Sequence, residues 1–282
     1  MTHTTVKSPL APIPARRRSP RETLLRLPPA ALGAVGTLLF LLLWELVPRL
    51  GLVPARFLPP PTEVLVHLVA HLGTGRFWSA VGNTLLGWAL GLAIASVAAV
   101  LLGMVIGSST FLRRFTSSTI EFLRPIPSVA LIPLAVLLFG VEIESKLLLV
   151  VYASFWQVLI QVLYGVADVD PVAANTARSF GLTSYAARLR HVVWPTTLPY
   201  LMTGLRLAAA VALILAVTAE LLIGTPGLGR EIAVAQSGGA TAQMYALVLA
   251  TGFIGVLINI SFRALQRRFL GWHSSIRAEV DK

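Results

Sequence analysis

DVDPVAANTARSFGLTSYAARLRHVVWPTTLP, residues 168–199, is the longest polar interruption in an otherwise membrane-like chain of 282 residues. Its first half predicts a short helix that belongs to no membrane span. Asp170 suits the N-cap, and Pro171 suits the first helical position, where a missing N–H costs nothing. Ala173, Ala177 and Gly181 recur every fourth residue with Ala174 beside them, so one helix face is almost bare of side chain. A bare face admits the backbone of a partner. Pro195 and Pro199 are expected to stop the chain before the next apolar span.

Outward from this segment the composition excludes a soluble class. The chain is 56% hydrophobic and 12% charged, with a mean hydropathy of +0.78. Several runs reach the roughly 20 apolar residues that cross a bilayer. The expected fold is all-α: a polytopic membrane protein of six transmembrane helices. A net charge of +11 would suggest nucleic acid in a soluble protein, but here the bases cluster at span ends, as membrane topology requires. No cysteine is present, so disulfides and thiolate chemistry are excluded.

In chain order, residues 1–28 are basic and proline-rich and read as a disordered cytoplasmic tail ahead of a retained anchor rather than a cleaved signal. The membrane domain is expected over 29–268, with spans near 30–48, 82–107, 125–141, 147–166, 201–223 and 242–262. A second tail covers 269–282. A short amphipathic helix is expected at 62–72, and a glycine-rich loop at 224–241. The second span carries Gly87-x-x-x-Gly91 and Gly103-x-x-x-Gly107, a spacing that lets membrane helices pack closely. Leu123-Arg124-Pro125-Ile126-Pro127 at the third span predicts a broken or bent helix whose freed carbonyls need partners. Seventeen of the 23 Lys and Arg residues fall on the tails and the even-numbered connections and five on the odd ones, which predicts both termini and residues 168–199 in the cytoplasm.

With that order of spans, the segment 168–199 resembles the cytoplasmic coupling loop of permease subunits of bacterial ATP-binding-cassette (ABC) importers. Gly181 stands for its glycine and Trp194-Pro195 for its usual Leu-Pro. Asn175 stands where the motif carries glutamate, which removes a charge and leaves docking by shape. The phrases FLPPPTEV, LRPIPSVALIPLAVLLFG, ESK, GVADVD, GLRLAAAVA, AEL and GLG, from Phe57 to His273, occur in the order seen in the nitrate/sulfonate/taurine importer group. The resemblance implies a permease that dimerises, binds two cytoplasmic ATPase subunits and accepts cargo from an extracytoplasmic binding protein. It implies coupling to the ATPase through Ala173, Ala174, Asn175, Ala177, Arg178 and Gly181. The implied cargo is a small oxyanion, an alkanesulfonate first, with taurine, nitrate and thiamine precursors as alternatives.

Candidate chemistry within the spans is sparse. Arg124 and Arg206 lie closest to the membrane interior, where charge is costly and usually purposeful, although both could equally snorkel or cap helix ends. Glu220 could gate the other end of the fifth span or pair with Arg230. No phosphate loop, H-E-x-x-H or G-x-S-x-G occurs, so neither ATP binding nor an enzyme activity is expected, and no cofactor. His67 and His71 share a helix face without a third ligand, and no metal site is expected. A proton-coupled secondary transporter would carry carboxylates deep within spans, whereas Glu45, Glu121 and Glu220 lie toward span ends.

Overall fold

The computed structural model describes residues 29–182 and 184–270, and the two tails, 1–28 and 271–282, lie outside the described residues. Among the described residues all regular structure is helical. The helices are α1 (Pro29–Arg49), α2 (Pro61–Leu72), α3 (Gly75–Ser108), α4 (Thr110–Leu123), α5 (Ile132–Phe139), α6 (Ile143–Ala167), α7 (Pro171–Ser179), α8 (Trp194–Ile223), α9 (Leu228–Ser237) and α10 (Thr241–Leu270). Among the described residues five helices are long and apolar enough to cross a membrane, and a sixth is reached if α4 and the arm Ser128–Phe139, which contains α5, are taken as one bent span.

The bundle centres on α6, which packs between α3 and α8. The glycine pairs of the second span belong to a longer seam: Gly87, Gly91, Ala95, Ala99, Gly103 and Gly107, all buried. A Cβ on Gly91 would stand 2.5 Å from Val150 Cγ1, and one on Gly103 2.7 Å from Val162 Cγ1. Real side chains there would force α3 off α6. Trp88 Nε1 donates to the Ala209 carbonyl at 2.8 Å, tying α3 to α8 as well.

Four expected boundaries move. The third span is not one helix over 125–141. Its apolar arm, Ser128–Phe139, meets α4 at 80° and is too short to cross alone. Pro125 and Pro127 make the break, and the Tyr152 hydroxyl donates to the freed Leu123 carbonyl at 2.6 Å. The second helix starts at Gly75, ahead of the expected 82, because Thr74 caps it. The fifth span does not wait for its prolines. Tyr185–Arg188, a π-turn over Leu189–Val193 and α8 form a continuous run, with Pro195 in the first turn of α8 and Pro199 inside it. The π-turn directly ahead of Pro195 changes the bonding register at the point where the proline offers no N–H. The Thr196 and Thr203 hydroxyls donate to the Val192 and Pro199 carbonyls on either side. Finally, residues 224–241 are not an open loop. They fold in as α9, whose Leu228, Ile232 and Ala235 join Val64, Leu68, Phe77 and Leu247 in a second apolar core.

Helix α1 differs from the rest: it is largely exposed, and its bonds to the other helices come from its C-terminal part. Glu45 there accepts from the Thr62 N–H at 3.1 Å, and Trp44 Nε1 donates to the Pro59 carbonyl at 3.1 Å.

Candidate functional site

The polar segment folds as expected at its start and differently at its end. Asp170 Oδ1 accepts from the Val172 N–H at 2.8 Å, so α7 is capped by the side chain predicted for it. At the other end the Leu182 N–H reaches the Ala177 carbonyl at 2.9 Å and the Gly181 N–H reaches the Arg178 carbonyl at 3.1 Å. That pair of bonds is the Schellman ending, and Gly181 adopts the left-handed backbone it requires, φ +86°. Gly181 therefore terminates α7 and is not part of a stripe on the helix face.

The bare stripe is divided. Ala173 is exposed, but Ala177 is 8% exposed and packs into the chain itself. Ala174 and Arg178 line a cavity of about 340 Å³ beneath α7, together with Val166, Arg188 and Val192. The face of α7 that points away carries Val172, Asn175, Thr176 and, just past its end, Phe180. Val172 is 69% exposed and Phe180 84%. Reading the sequence for small residues missed this face. Its signal was the spacing of Val172 and Phe180, eight apart and so two turns along one side.

The three charges proposed for the spans separate. Arg124 is exposed at the break after α4 and borders a cavity of about 520 Å³ with Arg113, Thr116, Ser117, Glu121 and Tyr164. Arg206 is half-buried, and its Nε donates to Asn259 Oδ1 at 3.1 Å, linking α8 to α10. It sits about three turns into α8, because that helix begins at Trp194. Arg206 is absent from the cavity that holds Arg124.

Glu220 is completely buried, and its partner is Lys146, not Arg230. Lys146 lies in the first turn of α6, with a side chain 2% exposed. Its ammonium donates to Glu220 Oε1 at 2.9 Å, to the Asn83 carbonyl at 3.1 Å and to the Pro226 carbonyl at 3.2 Å. All three of its protons are placed. Glu220 Oε2 accepts from Thr84 Oγ1 at 2.8 Å and from the Gly229 N–H at 3.0 Å, while Thr84 Oγ1 accepts from the Leu228 N–H at 2.9 Å. Glycines surround the pair. A Cβ on Gly87 would stand 2.6 Å from Lys146 Cε, one on Gly229 2.7 Å from Glu220 Cβ, and one on Gly227 would overlap the Glu220 carboxylate. The sequence phrases ESK and AEL contain both charges, but nothing in their spacing pairs residues 74 apart.

At the same end, His67 and His71 sit on α2. No cluster of three metal-ligating side chains occurs among the described residues. Burial, and then the neighbouring His67, hold the His71 imidazole below its ordinary value of 6.5. Arg76 and Glu231 form an ion pair at 2.8 Å that joins the start of α3 to α9.

Comparison with known proteins bears on all of this. A family described as the binding-protein-dependent transport system inner membrane component matches residues 99–270. The taurine transport system permease protein of Escherichia coli (strain K12) is 35% identical over 250 residues, covering 86% of this chain and 90% of that protein. An aliphatic sulfonates transport permease protein of Bacillus subtilis (strain 168) is 27% identical over 233 residues, covering 83% and 84%. A bacterial ABC transporter that imports the acidic polysaccharide alginate has a chain similar in fold, with a TM-score of 0.60 at 16% identity over 88% of this chain and 96% of that one.

Proposed function

This chain belongs to the family of binding-protein-dependent transport system inner membrane components, the permease subunits of ABC importers, and from that premise we propose that its cargo is a small sulfonate. Taurine stands first, because the taurine permease shares 35% identity over nearly the whole length of both chains. Sulfonates are oxyanions, and Arg113 and Arg124, which border one cavity, carry the guanidinium donors that such a group takes. Arg124 is the pathway charge in this reading. Arg206 serves as a bond between α8 and α10, and Glu220 serves inside the protein.

Two copies pack around one pathway, with two cytoplasmic ATPase subunits below and a cargo-binding protein on the other face. The observation that carries the coupling is α7: a helix closed at both ends, set between two spans, with Val172 and Phe180 turned out. Large apolar side chains so exposed on a polar segment mark an interaction face. We assign ATPase docking to Val172, Ala173, Asn175, Thr176 and Phe180, with Ala174, Ala177, Arg178 and Gly181 shaping the segment from beneath and behind. ATP-driven closure of the two ATPases then moves α7 and tilts α8, which exchanges outward-open for inward-open states.

Reconstitution tests the cargo. Vesicles holding the permease with its ATPase, supplied with a cargo-binding protein and ATP, are expected to accumulate taurine or a short alkanesulfonate and to leave nitrate behind. Nitrate uptake without sulfonate uptake would replace the proposed cargo. Orientation is read separately in intact cells, in a chain with no native cysteine. Ser237→Cys should react with an impermeant thiol reagent and Ser184→Cys should not, and the reverse would place α7 outside.

A further inference from the structure

A charge within a membrane bundle normally serves the transported species or faces water. Lys146 and Glu220 do neither: both are sealed, both are saturated with bonds, and three glycines keep the space around them clear. The bonds run in one direction. Lys146 on α6, Thr84 on α3 and Glu220 on α8 all converge on residues 226–229, the entry to α9, through the Pro226 carbonyl and the Leu228 and Gly229 N–H groups. The first turn of a helix leaves its N–H groups without intrahelical partners, and a carboxylate held there is favoured both by hydrogen bonding and by the helix dipole.

We propose that Lys146 and Glu220 are positioning residues for transport: they fix α9 to the ends of α3, α6 and α8 so that this end of the molecule moves as one body. This rests on the reading of the chain as an importer permease. In that setting α9 belongs to the face that meets the cargo-binding protein. A contact made on α9 is then carried to α6 and α8 through the bonds of Lys146 and Glu220 to its entry. Gly227 and Gly229 lie so close to Glu220 that a side chain at either would displace it, which seats the entry to α9 directly on the pair. Arg76–Glu231 braces the same helix from α3 at its exposed side.

The test uses the full complex and two variants. Lys146→Met removes the ammonium, and Glu220→Gln keeps the shape while removing the charge. The milder Glu220→Gln decides the question if Lys146→Met fails to accumulate. Spin labels on Ser79→Cys in α3 and Ser237→Cys in α9 report the position of α9. A narrow distance distribution is expected in the parent and a broadened one in either variant. In assembled complexes of normal abundance, ATP hydrolysis without binding protein should stay within about twofold of the parent, while its stimulation by loaded binding protein should fall at least tenfold. The double variant Lys146→Met/Glu220→Gln, with no uncompensated charge left, should recover part of that stimulation. An unchanged distance distribution, or full stimulation in an assembled single variant, overturns the proposal. If the parent itself responds to no binding protein, the importer reading fails instead, and the label distances still decide whether the pair positions α9.

Discussion

The two ends of α8 are built on opposite terms. At the Ile223 end an ammonium, a carboxylate, a threonine and two backbone N–H groups satisfy one another with no water-accessible surface left. At the Trp194 end, the outer face of α7 and Phe180 point away from the bundle, and among the described residues no acid lines the Arg178–Arg188 cavity beneath them. The first end spends its polar groups on itself. The second leaves apolar and basic groups unmatched, which is how a surface waits for a partner. The contrast teaches that within one chain the polar groups are matched internally where the fold is closed and left unmatched where it is open.

The strongest way to break this contrast is to attack the closed end. Glu220→Ala strands a buried ammonium, and a loss of about 3–5 kcal/mol in unfolding stability is expected. Denaturant titration in detergent micelles measures it, and a loss under about 1 kcal/mol would show that water reaches Lys146. The open end should respond in the opposite manner. Phe180→Ala is expected to weaken ATPase binding by about 2 kcal/mol, roughly 30-fold. Stability should stay within about 0.5 kcal/mol, as for an exposed position. Destabilisation without weakened binding would move the docking face elsewhere.

Between the two ends, Arg206 sharpens the picture. Its bond to Asn259 predicts that Arg206→Gln costs about 1 kcal/mol of stability and leaves cargo uptake near the parent rate. Uptake that collapses at unchanged stability would put Arg206 in the pathway. The smallest effect concerns acid. Because the His71 value is lowered on folding, the stabilisation from its neutral form is fully present above the ordinary 6.5. It fades as pH falls through 6.5 toward the lower folded value. His71→Gln should therefore shed a small part of the loss in melting temperature between pH 7.5 and pH 5.5, and an unchanged difference would mean that His71 is solvated.

Periodicity and composition made the spans legible, because a bilayer admits few alternatives to long apolar helices. The break at Pro125 and the cap at Asp170 were equally plain, since both are local chemistry. Three things were not. Pro199 reads as a stop, yet the helix runs through both prolines, with a π-turn just ahead of Pro195. The stripe of Ala173, Ala177 and Gly181 has the right period, but period alone does not say which face meets the chain's own core. The Lys146–Glu220 pair joins residues 74 apart, and only the folded bundle brings them together. Each charge alone resembled an ordinary span-end residue.

The run from Ala186 to Ile223 holds 38 residues without a break, and at about 1.5 Å per residue it makes a rod roughly 57 Å long. One tip adjoins α7 and the other bears Glu220. A rod of that length converts angle into travel: a pivot of about 5° near one tip sweeps the other through roughly 5 Å, about the height of one helical turn. Such amplification requires stiffness, and Pro199, which lacks its backbone hydrogen bond, is the place where the rod would flex first. The Thr203 hydroxyl bonds back to the Pro199 carbonyl, a contact that favours a bend at the same place. How far a small push at the Ala186 tip carries to the other depends on how little the rod gives at that proline.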